Sequence, residues 1–149
     1  MKDDASNTAL GRRLTDEERK AIRRAEASIA RLAGRYLAAA EADLARLKAA
    51  AADVLADPAG RTSHLDRLFR ISHDMKGQGA TFGYSLVTDI GGRLCRFVER
   101  RRESLDDAGM AVVLRHVAAL ERVIRERMTE AGASEAKALV DSLDRAEAG

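Results

Sequence analysis

The sequence has one cysteine, one proline, no tryptophan and only 3% aromatic residues among 149 positions. The lone Cys95 cannot close an intramolecular disulfide, so any fold must be held by packing alone. No apolar run approaches the roughly 20 residues needed to span a bilayer as a helix. The N-terminal MKDDASNTAL also lacks the apolar centre of a secretory leader, so the cytoplasm is the expected compartment. Charge of one sign is missing too: 26 basic residues against 24 acidic ones leave a formal charge of +2. That balance does not argue for nucleic acid or a membrane surface as partner. What is abundant is alanine, leucine, arginine and glutamate, with few β-branched residues, a composition that predicts an all-α protein. The length suits one compact domain with a real core.

Along the chain, residues 1–14 are polar and carry no apolar stripe, which predicts a flexible tail. Thr15 followed by Asp16, Glu17 and Glu18 has the form of a helix N-terminus. Ile22, Ala25, Ile29, Leu32 and Tyr36 continue at helical spacing, and Leu44, Leu47 and Val54 follow, with a break or bend expected near Gly34. Asp57-Pro58-Ala59-Gly60 predicts a loop, because proline cannot continue the ladder and disfavours helix in the residue before it. Further helices are predicted over about 64–82 with Ser63 as cap, from Leu86 to about Arg102, and from Asp106-Asp107 through Met128 to before Gly132. A short piece near 134–146 is also expected. Short loops between long amphipathic helices favour an up-down antiparallel four-helix bundle, with additional short helices at the ends, over residues 15–149.

Chemistry concentrates in SHDMKGQGATFGY, residues 72–84. At about 100° per residue, Leu65, Leu68, Ile71, Ser72, Met75 and Gly79 share one helix face. His73 falls well outside it and is predicted to be exposed. Gly77 lies one turn along from His73 on the outward strip, at a cost of roughly 1 kcal/mol in helix propensity relative to alanine. A bare backbone there lets a macromolecule approach the imidazole, and Ala80 keeps the next turn low. A neutral imidazole is a nucleophile able to accept a phosphoryl group, and Lys76 supplies a positive charge for the anion so formed. Asp66, Arg70 and Ala80, with Arg93 and Arg96 further along, form the expected docking surface.

His73, Lys76, Gly77, Gly79, Phe82 and Gly83 match the H-x-x-K-G-x-(small)-x-x-(apolar)-G signature, and the chain in this span resembles the histidine-containing phosphotransfer (HPt) domains. The resemblance implies His73 as the phosphorylated residue, Lys76 as its charge partner and Gly77 as the clearance residue. It implies receiver domains of hybrid histidine kinases and response regulators as partners, with Mg²⁺ held by the receiver and no cofactor here. A monomer is expected, acting as a phosphotransfer intermediate without an ATP-binding kinase domain. Gln78 departs from the small residue usual at its place, and Gly91-Gly92 is expected to loosen the helix that follows.

Rival readings are weaker. Phe69 to Lys76 also resembles the H-box of sensor kinase dimerisation helices, with Asp74 in the place of a base, but Gly77-Gln78 departs from that pattern. A non-catalytic helical adaptor would need no phosphate at all. The glycine spacing fits neither common nucleotide fingerprint. His64, His73 and His116 lack the Glu-x-x-His spacing of a bundle metal site, so no metal is expected. His64 and His116 read as ordinary surface or helix-end histidines. Arg93, Arg96 and Arg100-Arg101-Arg102 are basic, yet Glu99 and Glu103 interrupt them and no aromatic platform accompanies them, against nucleic acid. Cys95 reads as packed between helices.

Overall fold

The computed structural model describes residues 13–129 and 134–148. Most of the expected tail, residues 1–12, and Gly132 lie outside them. Every regular element among the described residues is helical: α1 (Asp16–Ala56), α2 (Arg61–Gly79), a 3₁₀ turn (Ala80–Phe82), α3 (Ser85–Arg101), α4 (Asp107–Arg125) and α5 (Ser134–Ala148).

Local chemistry sets most of the boundaries. Thr15 Oγ1 accepts from the Glu18 amide at 3.1 Å while Glu18 Oε2 accepts from the Thr15 amide at 3.0 Å, a reciprocal capping box. α1 ends at Ala56, ahead of Asp57-Pro58. Asp106 caps α4 by accepting from the Gly109 amide at 2.8 Å. α2 starts at Arg61, with Gly60 rather than Ser63 at its cap.

The break expected near Gly34 is absent, and α1 is continuous through it. One glycine costs about 1 kcal/mol. Interrupting the helix would also free several backbone donors and acceptors in a stretch otherwise rich in alanine, leucine and arginine.

The chain divides into two units, residues 1–35 and 36–149. In the first, no described residue is buried, and Ile22, Ile29 and Leu32 are 43%, 66% and 50% exposed. Their spacing reports a helix, not a covered face.

The second unit holds the core. Leu44, Leu47 and Val54 of α1 meet Leu65, Leu68 and Met75 of α2, Leu86, Ile90 and Leu94 of α3, and Met110, Val113 and Leu120 of α4. α2 packs on α3, α3 on α4, and α4 on α5. α5 adds Ala136 and Leu143 to the same core.

Candidate functional site

α2 buries Leu65, Leu68, Ile71, Ser72, Met75 and Gly79. Ser72 tolerates this burial because its hydroxyl donates to the Leu68 carbonyl at 2.8 Å. With that face committed to the core, His73 is left on the surface, its side chain 61% exposed. Its ring lies over Phe69, with centroids 6.2 Å apart. Asp74 Oδ1 stands 4.0 Å from Nδ1. That contact is too long for a hydrogen bond and lies on the Nδ1 side of the ring, away from Nε2.

Three glycines of the motif have different physical reasons. A Cβ at Gly79 would lie 2.8 Å from both Thr88 Oγ1 and the Tyr84 carbonyl oxygen, so nothing larger fits there. Gly83 has φ of 84°, the left-handed region that other residues avoid. Gly77 has neither constraint: a Cβ there would meet nothing within 4 Å among the described residues.

Thr88 ties the end of α2 to α3. Its hydroxyl donates to the Lys76 carbonyl at 2.8 Å and accepts from the Ala80 amide at 2.8 Å. Tyr36 of α1 stacks on Phe82 at 4.9 Å and leans on Tyr84 at 5.2 Å, bracing the turn that ends the motif.

Gly91 and Gly92 do not loosen α3. Both are buried within it, and a Cβ at Gly91 would come 3.2 Å from the Ser72 carbonyl oxygen and 3.3 Å from Lys76 Cβ. The pair lets the two backbones approach closely beside Lys76, which is half-buried. Cys95 donates to the Phe69 carbonyl at 3.8 Å, and burial pushes its thiol up, with Lys76 and Arg96 acting the other way.

The expected docking residues divide into two sets. Asp66 pairs with Arg102, and Arg93 is held by Asp144 and, at 3.1 Å, by Asp89. Arg70, Ala80 and Arg96 are exposed. His64 bonds Asp57 at 3.0 Å, where it holds the carboxyl below its usual range. His116 is not a surface residue: it is wholly buried. Its Nδ1 donates to the Val112 carbonyl at 2.8 Å, and Nε2 lies 2.9 Å from Glu147 Oε1. The sequence pattern could not reveal this, because Glu147 comes from α5.

Among the described residues no group of three or more His, Cys, Asp or Glu side chains is placed to hold a metal ion. Nor is any described helix long and apolar enough to cross a membrane. Grooves of about 290 and 410 Å³ are lined by α1 with α4 and by α4 with α5, away from the motif.

An all-helical core carrying an outward histidine, with a lysine one turn along and open glycine backbone beside it, defines a histidine-bearing helical module. The chain belongs to the Hpt domain family, whose model matches residues 31–149. Neither a curated protein nor a solved structure matches it. Membership gives it a histidine phosphotransfer role in phosphorelays, where Hpt domains interact with receiver domains.

Proposed function

We propose that the protein is a phosphorelay intermediate that accepts a phosphoryl group on His73 from a receiver aspartate and passes it to another receiver or returns it. The observation that carries this reading is Gly77. It is a helical residue with no neighbour within 4 Å of its missing Cβ and no unusual φ. Packing among the described residues gives no reason for glycine there, which supports a role for the bare backbone in what approaches His73.

In the transfer, Nε2 attacks the phosphorus of the aspartyl phosphate. The N–P bond forms as the acyl P–O bond breaks, and the carboxylate leaves with the bonding pair. Nδ1 keeps its proton during the attack and can release it to solvent afterwards. Lys76 neutralises the phosphoryl oxygens, Gly77 and Ala80 give the receiver clearance, and Mg²⁺ belongs to the receiver. Asp66, Arg70, Arg93 and Arg96 border the docking face.

We read residues 15–149 as the functional domain, residues 1–14 as its tail, and α1 to α4 as an up-down antiparallel bundle with α5 added at its end. Short connections and a core shared by all four helices support that arrangement. A monomer in the cytoplasm fits this role.

The test is incubation of the purified protein with a phosphorylated receiver domain and Mg²⁺, comparing wild type with His73→Gln. Acid-labile, base-stable label on wild type alone is the expected result. Absence of label with several receivers would sink the reading in favour of a non-catalytic adaptor.

A further inference from the structure

Gly92 of α3 is buried beneath two basic side chains. A Cβ placed there would lie 3.3 Å from Arg96 Nη1, 3.6 Å from Lys76 Cδ and 3.8 Å from Lys76 Cε. The guanidinium of Arg96 and the far end of Lys76 therefore converge over the same backbone position. Two basic side chains that share one stretch of backbone repel each other, and an anion between their charged ends relieves that repulsion. None is present among the described residues. Asp74 stands by His73, Asp89 and Asp144 pair with Arg93, and Asp66 pairs with Arg102, while Glu99, one turn beyond Arg96, forms no ion pair with either cation among the described residues. Both cations, and Glu99 in the opposite sense, also act on the Cys95 thiol, and Cys95 hydrogen-bonds the backbone of Phe69, whose ring stacks with that of His73.

We propose that Arg96 is a second phosphoryl-binding cation, which joins Lys76 in holding the oxygens of the group on His73, and that Gly92 is the positioning residue that lets the two meet. This rests on the reading of His73 as the phosphoryl acceptor. Lys76 lies three residues beyond His73, within the reach of neighbouring helical side chains. Arg96, arriving from α3, approaches the same anion from a second direction. A guanidinium offers two parallel N–H donors to a phosphoryl group, whereas an ammonium acts as a point charge, so the pair divides the work between geometry and charge. Gly91 has a different function, since its Cβ would press on the Ser72 carbonyl and the root of Lys76 and would part the helices.

Phosphoramidate tests this without a receiver. Its P–N bond breaks, ammonia leaves, and the phosphoryl group forms a new bond to Nε2. The full-length wild type, Arg96→Gln, Arg96→Lys and Gly92→Ala are compared by the rate of phosphohistidine formation as phosphoramidate concentration is varied, and by thermal unfolding. Arg96→Gln is expected to lower the second-order rate about tenfold, the loss of a charge-assisted hydrogen bond, with the unfolding midpoint unchanged. Arg96→Lys, which keeps the charge but not the paired donors, should recover only part of that loss. Gly92→Ala, which crowds Arg96 Nη1 but no backbone, should fall between them. Equal rates for wild type and Arg96→Gln, or equal losses in both Arg96 variants, would overturn the inference while leaving His73 as acceptor intact. No phosphohistidine on wild type from either phosphoramidate or receivers would instead remove the functional reading itself.

Discussion

At the scale of single residues, the glycines of the motif can be separated by experiment. Gly77→Ala meets open space at a helical position, so it should raise stability by about 1 kcal/mol in denaturant unfolding. Gly77→Gln should keep the fold and sharply slow transfer from a receiver, while leaving the rate with small phosphoramidate nearly unchanged. Gly79→Ala should destabilise by roughly 2 kcal/mol, because Thr88 and the Tyr84 carbonyl cannot both retreat. Tyr36 offers a further test. Its hydroxyl is buried without a hydrogen-bond partner among the described residues. Burial, then the nearby Tyr84 and Asp43, push its phenol from 10.0 up to about 12. A folded value above the unfolded one means a contribution to stability that is complete below about pH 10 and lost as pH rises towards 12. Tyr36→Phe should abolish that alkaline component in a pH series of unfolding midpoints, and should be neutral or stabilising at pH 7.

At the scale of elements, α5 depends on contacts that its own sequence does not announce. Leu143 and Ala136 bury its apolar edge, Asp144 reaches Arg93, and Glu147 meets the buried His116. Glu147→Ala would leave His116 Nε2 without its partner in the interior, at a cost of roughly 1–3 kcal/mol. Hydrogen exchange should report this as lost amide protection in Ser134–Ala148, with α2 retaining its own. The helices themselves were legible, since capping at Thr15 and Asp106 and the Asp57-Pro58 stop are local chemistry. Gly34 and the Gly91-Gly92 pair were misread because a glycine's effect depends on what surrounds it. At Gly34 a favourable helical stretch absorbs the cost, and at Gly91 a neighbouring backbone needs the space.

At the scale of the whole molecule, the core belongs to residues 36–149, while the described residues before Tyr36 bury nothing. A chain shortened to residues 31–149 should therefore unfold within a few degrees of the full chain and accept label on His73 at the same rate. The sequence by itself determined the helical class, most helix ends, the buried face of α2 and, by elimination, the outward position of His73. These follow from 3.6-residue periodicity and from capping, which act within a few residues. Tertiary structure alone decided that the stripe of Ile22, Ile29 and Leu32 stays exposed, that His116 is interior, and that Arg93 is neutralised while Arg96 stands beside Lys76. Each of those outcomes depends on atoms brought together from distant parts of the chain, and periodicity within one helix carries no information about what lies across from it.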